Sequence, residues 1–266
     1  MRPMPLLILV LPLCSWIGCQ ASDRWPAGRW IDLTHDFSDD TVYWPTGKPF
    51  QLDVVSAGIT EKGYYYAANN FCSAEHCGTH MDAPIHFAEG RQTADEVPLD
   101  RLIGAGIVID VSERALRDPD YQVTVDDLHA WTTRHGTIPS GAIVLLRTGH
   151  GRYYADRVRY LGTDKQGPEA VPELHFPGLH HSAARWLVER RAVKAVGLDT
   201  PSIDYGQSTR FETHQVLAQA NTPVFENLAR LDQLPAQGFL VVALPMKIKG
   251  GSGGPLRIVA AVRDPR

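Results

Sequence analysis

Beyond its N-terminal segment, the 266-residue chain has no apolar run long enough to span a bilayer, so no integral membrane span is expected. It also lacks a dense lysine or arginine cluster. With 26 basic against 30 acidic residues the formal net charge is -4, which argues against nucleic acid as the main partner. There is no internal repeat, heptad or low-complexity linker, which removes solenoids and coiled coils from consideration. Cysteine is scarce. Two of the four, Cys14 and Cys19, fall in the first twenty residues, leaving only Cys72 and Cys77 for the body of the chain. In an exported protein these two could pair. The loop between them is short, however, and two small side chains packed near a site is the other reading. No Gly-x-Ser-x-Gly elbow surrounds Ser202 or Ser252, so neither is a nucleophile candidate. What remains is an ordinary globular composition, 44% hydrophobic and 21% charged, of a length that fits one large or two small domains.

The N-terminus reads as a targeting segment. Arg2 gives a positive start, Pro5 to Gly18 is predominantly apolar, and small or polar residues follow from Cys19 to Ser22. That is the pattern of a secretory signal peptide over residues 1–21, with the functional domain over 22–266. Two processing sites compete. Cys19-Gln20-Ala21 allows cleavage after Ala21, whereas Ile17-Gly18-Cys19 resembles a bacterial lipoprotein box that would lipidate Cys19. Either way the protein is expected to be exported, as a periplasmic, secreted or membrane-anchored species.

Strands alternate with helices along the rest. Arg29 to His35, Gln51 to Ser56, Tyr64 to Ala68, Ile103 to Val111, Ala142 to Arg147, Val193 to Leu198, Phe239 to Leu244 and Leu256 to Val262 read as strands. Val125 to His135, Ser182 to Arg191 and Phe211 to Ala220 read as helices. Gly149 to Phe176 has no clean period and reads as a long excursion. The predicted class is a single α/β domain with a mixed sheet or partial barrel flanked by helices. The glycine run Gly250 to Gly254 lacks a following Lys-Ser/Thr and opens into a strand, so a tight hairpin or barrel bend is expected there, not a phosphate cradle.

The most chemically loaded stretch runs from Glu75 to Phe87. It places His76, His80, Asp82 and His86 within eleven residues, punctuated by Gly78 and Pro84. Imidazole and carboxylate are the ligands of a catalytic Zn, Mn or Fe(II). A helical turn would put His76 and His80 on one face; a strand would instead put His80 and Asp82 on one side. The plain alternative is a histidine-rich loop that holds no metal. A divalent ion brings the pKa of a bound water from about 15.7 to near 7. His86, past Pro84, suits the general acid/base that moves a proton to a leaving nitrogen. Elsewhere the readings are plainer. His35 is a strand-end hydrogen bonder or orients a ligand; His150, His175, His180 and His181 read as solvated loop histidines; His129 and His135 as helix surface; Tyr64, Tyr65 and Tyr66 as strand packing; Asp199 and Thr200 as support for the site.

The pattern His76-x-Gly78-Thr79-His80-x-Asp82-x-Pro84-x-His86-Phe87 resembles the signature of the cyclase-like superfamily of metal-dependent hydrolases, which includes kynurenine formamidases and isatin hydrolases. Ile31 to His35, Val42 to Pro45, and Gly197 to Asp204 resemble further blocks of that family, in the same order. The resemblance covers roughly residues 29 to 262. It implies a swivelling β/β/α fold, with His76, His80 and Asp82 as ligands of one divalent ion, Mn or Zn. His214 and Glu226 would complete a second metal site that shares Asp82, or would contact substrate instead. It further implies His86 as general acid/base, Trp44 as a substrate-contacting aromatic, and a homo-oligomer, dimer or tetramer. The reaction it implies is hydrolysis of an activated amide, either a cyclic one such as isatin or an aryl formamide such as N-formylkynurenine. The competing readings are hydrolysis of a cyclic ester on the same site and a non-catalytic metal-binding module.

Overall fold

The structure, a computed structural model, describes residues 28–263; the expected leader and Cys19 lie outside the described residues. The strands are β1 (Gly28–Asp32), β2 (Gln51–Ile59), β3 (Tyr65–Cys72), β4 (His80–Asp82), β5 (Ile103–Asp110), β6 (Gln122–Val123), β7 (Ile143–Arg147), β8 (Gly178–Leu179), β9 (Ala195–Leu198), β10 (Val224–Glu226), β11 (Gln237–Pro245) and β12 (Gly253–Arg263). The helices are α1 (Leu99–Leu102), α2 (Ser112–Ala115), α3 (Val125–His135), α4 (Arg157–Leu161), α5 (His181–Arg191) and α6 (Glu212–Gln219).

The β-branched runs of β5, β7 and β9 pair in parallel, and strands of this kind need both faces covered. Alternation along them supplies two cores. Val108, Ile143, Leu145 and Ala195 turn inward to meet Met81, Phe225, Val241 and Ile258. Ile107, Ile109, Val144, Leu146, Val196 and Leu198 turn outward, where α3, α5 and α6 cover them with Leu128, Trp131, Leu187 and Leu217. Trp131 also donates its indole N–H to the Val108 carbonyl at 2.8 Å, so the one polar atom of this large side chain is satisfied.

The sheet closes. β12 pairs with β11, and the path continues through β5, β7, β9, β10 and β4 before β4 returns to β12. The expected partial barrel is therefore a closed, mixed seven-stranded barrel, with β1 paired antiparallel to the C-terminal part of β12. Among the described residues no helix is long and apolar enough to cross a membrane.

Two regions depart from the sequence reading. The excursion after β7 has its own small core, in which Tyr160, Leu161, Leu174 and Phe176 are fully buried. His150, expected to be solvated, is buried there and bonds the Tyr160 carbonyl through Nε2 at 2.8 Å. The second region is the ribbon of β2 and β3. Its residues were expected to pack, but Tyr64, Tyr65 and Tyr66 are each more than half exposed, and Val54, Val55 and Ile59 are exposed beside them. Both faces of the ribbon are open, so period-2 alternation gave no inside face to recognise. Cys72 and Cys77 are free thiols; Cys77 is buried, as expected of a small packed side chain.

Candidate metal centre and active site

The segment from His80 to Asp82 is a strand, so the period-2 alternative holds: Met81 points into the barrel core while His80 and Asp82 share the other side. β4 is short but pinned on both edges. Its register sets His80 opposite Glu226 of β10, and Asp82 opposite Gly253 of β12. His76 lies in the bend before the strand, not on a helical turn. Gly78 makes that bend at φ 60, where a Cβ would sit 2.8 Å from the Thr41 methyl. After the strand, Pro84 opens a single 3-10 turn that carries His86 back over His76, with the rings stacked at 3.9 Å. His214 enters from the first turn of α6.

These side chains converge. His76 Nδ1 lies 2.6 Å from Asp82 Oδ1, and His80 Nε2 lies 3.2 Å from the same oxygen. His214 Nε2 is 3.1 Å from Asp82 Oδ2 and 3.4 Å from Glu226 Oε1. Two triads result, His76–His80–Asp82 and Asp82–His214–Glu226, each with donor atoms within 4.8 Å of one another, sharing Asp82. Ligands about 2.0 Å from a tetrahedral ion stand about 3.3 Å apart, close to most of these separations. The donors are all nitrogen and oxygen, a set that suits Zn, Mn or Fe(II). The residues present therefore fit a divalent ion.

The electrostatics agree with that fit. Burial alone would raise the Asp82 carboxyl, but the His76 charge and hydrogen bonds from His214, His76 and His80 hold it well below the usual carboxylate range. Glu226 moves the other way, pushed up by burial and by the Asp82 charge. Burial opposes charge on His214, yet its bonds to Asp204, Asp82 and Glu226 keep its pKa well above ordinary. His80 is raised in the same way, chiefly by Asp82. Two buried carboxylates are thus balanced by protons held on imidazoles, and a cation would supply that balance instead.

The cluster forms the floor of a cavity of about 310 Å³. Trp44, Phe87 and Phe211 stand around it, with the Trp44 and Phe211 ring centroids 6.4 Å apart and those of Phe87 and Phe211 5.4 Å apart. His86 faces the same space. Desolvation, with a further push from His76, His214 and His80 against the pull of Asp82, lowers its pKa from 6.5 to about 4. Its surface toward the cavity is exposed, which softens the shift, but the direction leaves the ring neutral at pH 7.

All seven predicted site residues, His76, His80, Asp82, His86, His214, Glu226 and Trp44, line this one cavity. Of the residues expected to support it, Asp199 is buried and accepts from Thr148 N and Oγ1 and from Gly149 N, which anchors the start of the excursion. His35 makes no hydrogen bond to the cluster among the described residues. It donates its backbone N–H to Thr79 Oγ1, and its ring stacks on Tyr154 at 3.5 Å.

Several residues escaped the sequence reading. Asp204 accepts His214 Nδ1 at 2.6 Å and also takes the backbone N–H groups of Thr213 and His214. One carboxylate so fixes both the imidazole and the N-terminal turn of α6. Asn227, at φ 55, donates Nδ2 to the Gly78 carbonyl, which in turn meets His80 Nδ1 at 2.9 Å. Phe87 and Phe211 gave no signal of being walls, because only the fold brings them beside Trp44.

Comparison with known proteins places the chain. The sequence profile of the family described as "Putative cyclase" matches residues 31–205, and the chain belongs to that family. It is 34% identical to isatin hydrolase of Roseibium aggregatum over 240 residues, covering 87% of this chain and 86% of that one. It is 28% identical to kynurenine formamidase of Salinibacter ruber, covering 88% and 97%. The solved structure of isatin hydrolase A from Labrenzia aggregata bound to benzyl benzoate superposes with a TM-score of 0.80 at 32% identity, covering 89% of this chain and 94% of that one. The relatives are hydrolases, and the closed barrel with its mixed sheet is the fold they share with this chain.

Proposed function

We propose that this protein is a metal-dependent hydrolase that opens a cyclic amide of a small, uncharged aromatic substrate, of which isatin is the type. The observation that carries the reading is the cavity itself. Trp44, Phe87 and Phe211 wall it, its floor is a nitrogen–oxygen ligand cage, and among the described residues that line it there is no lysine or arginine. A zwitterion such as N-formylkynurenine would find no cationic side chain there for its carboxylate, whereas a flat neutral ring stacks on Trp44, Phe87 or Phe211. The volume lies at the small end of ligand sites, which also favours the compact substrate.

Two ligand triads sharing Asp82 would hold one or two ions, Mn or Zn. When bound, such an ion supplies a Lewis acid and a water of lowered pKa. The protein's own part is positional and protonic. Neutral His86 accepts a proton at neutral pH and returns it to the departing amide nitrogen, help of a kind worth about 10²–10⁴ in rate. Asp204 holds His214 in one tautomer, and the aromatic walls exclude bulk water. The test is turnover of isatin and of N-formylkynurenine, with Mn and with Zn, by wild type and His86→Ala. Isatin should be opened by wild type and about 10²–10⁴ more slowly by the variant, with metal content unchanged. Turnover of the formamide alone would overturn the substrate assignment. Inertness of wild type toward both, with metal bound, would favour a non-catalytic metal-binding protein.

We also propose that the chain is exported and that it self-associates through the β2–β3 ribbon. A two-stranded ribbon with both faces in water is marginal alone, and Val54, Val55, Ile59, Tyr64, Tyr65 and Tyr66 give it an apolar surface fit for a second copy. Sedimentation of wild type against Val55→Asp/Tyr65→Asp reads this directly; an unaltered mass would refute the interface. An N-terminal mass on protein recovered from the cell envelope would read the processing site.

A further inference from the structure

The glycine run between β11 and β12 wraps around the residue before the first histidine of the motif. Ser252 donates both its backbone N–H, at 2.9 Å, and its hydroxyl, at 2.6 Å, to Glu75 Oε2. A carboxylate only accepts, so the Ser252 hydroxyl proton is committed to Glu75 and its oxygen has only lone pairs left to offer. His76 Nε2 lies 2.9 Å from that oxygen. Nε2 must therefore carry a proton, and Nδ1 is the atom turned to the cluster, 2.6 Å from Asp82 Oδ1, to which it donates as long as no ion stands between them.

The flanking glycines have the shape this requires. A Cβ on Gly251 would sit 2.8 Å from Glu75 Oε1, and one on Gly253 would sit 2.6 Å from His76 Cε1 and 2.5 Å from the Met81 carbonyl. The turn is also pinned from outside. Ala83 N–H donates to the Ser252 carbonyl at 2.8 Å, Ala94 N–H donates to the Gly251 carbonyl at 2.9 Å, and Gly250 N–H donates to Asp95 Oδ1 at 2.9 Å. A bend alone would need none of the contacts to Glu75 and His76.

We propose that Glu75 and Ser252 are positioning residues, a directed hydrogen-bond chain that keeps the proton on His76 Nε2 and presents Nδ1 to the bound ion. This rests on the metal-dependent reading above, and the experiment separates the two. Mn and Zn dissociation constants are measured for wild type, Ser252→Ala, Ser252→Thr and Glu75→Gln. The ¹⁵N shifts of the His76 ring are recorded on metal-free wild type and Ser252→Ala, with thermal unfolding of each as the check on folding.

Ser252→Ala should weaken metal binding by about 10–100-fold, the usual cost of losing a partner behind a ligand, and Ser252→Thr, which keeps the hydroxyl, should restore most of it. Glu75→Gln should weaken binding too, because its amide N–H can donate to the serine and reverse the chain. A merely structural turn would move the unfolding temperature in all three variants without this split between Ala and Thr. In metal-free wild type the Nε2 shift should be that of a protonated nitrogen, and in Ser252→Ala Nε2 should lose that proton while Nδ1 keeps its own toward Asp82. Wild-type affinity in Ser252→Ala, or an unprotonated Nε2 in metal-free wild type, would overturn the proposal. A wild type that binds neither metal yet shows the protonated Nε2 and its loss in Ser252→Ala would sink the metal reading and leave the positioning chain standing.

Discussion

Asp204→Asn is the most discriminating change that leaves every candidate ligand and cavity wall in place. Oδ2 of Asp204 takes both the backbone N–H and the ring Nδ1–H of His214, while Oδ1 takes the Thr213 N–H and the Ser208 hydroxyl. An asparagine has one oxygen for these two jobs. If that oxygen stays with His214, its NH₂ faces the Thr213 N–H, two donors pointing at one another in a buried place. An unsatisfied buried donor costs about 1–3 kcal/mol, and for a domain of this size each kcal/mol lowers the melting temperature by about 2–4 °C. The charge is lost as well. His214, now held above its ordinary pKa partly by Asp204, becomes a poorer electron donor on Nε2. Affinity of the Asp82–His214–Glu226 triad should fall about 10–100-fold, which is about 1.4–2.7 kcal/mol, while the His76–His80–Asp82 triad moves less. Competition with a chromophoric chelator, together with elemental analysis and thermal unfolding of the metal-free protein, reads both effects. Wild-type metal content and wild-type unfolding in the variant would refute the role given to Asp204.

Further expectations concern the glycine turn and the acid range. Gly253→Ala should destabilise by about 1–3 kcal/mol in urea unfolding, because its Cβ meets rigid backbone at 2.5 Å. Gly254→Ala, whose nearest contact is 3.1 Å, should cost clearly less; equal effects would remove the steric explanation. His35 has its pKa lowered to about 4, first by burial and then by Arg230, and its Nε2 is buried without a partner. Because the folded value lies below the unfolded 6.5, the unfolded chain binds more protons between those pH values. The folded state should thus lose stability as pH falls from about 6.5 toward 4, by at most about 3 kcal/mol from this residue. His35→Gln should flatten that slope, and parallel slopes for variant and wild type would contradict the assignment.

The local pattern made much of the fold legible. Ile103 to Val111 and Ala142 to Arg147 are short β-branched runs with no polar face, and they became strands buried on both sides. Val125 to His135 shows a helical period, and Thr124 and Asp127 close a capping box at its start. The ring closure was not legible, because it depends on β4, three residues whose histidine and aspartate mask any strand signal. The cavity was half legible. The histidine motif stood out by residue type and Trp44 through the family resemblance, but Phe87 and Phe211 are ordinary apolar residues that meet only through the path of α6. Asp204, Glu75 and Ser252 act through hydrogen bonds to residues as much as 177 positions away, a distance no spacing rule spans. The ribbon misled for the opposite reason. Its sequence is that of a packed strand, and within one chain nothing covers it.

The stave that carries His80 and Asp82 is also the one that shuts the cylinder, clasped by β10 on one edge and β12 on the other. Completing the barrel and assembling the cage are consequently a single event. Until the last seam zips, His80 has no Glu226 across from it and the two triads have no common member. His76, His80 and Asp82 are neighbours along the chain, but the triad of Asp82, His214 and Glu226 exists only where the seam is closed.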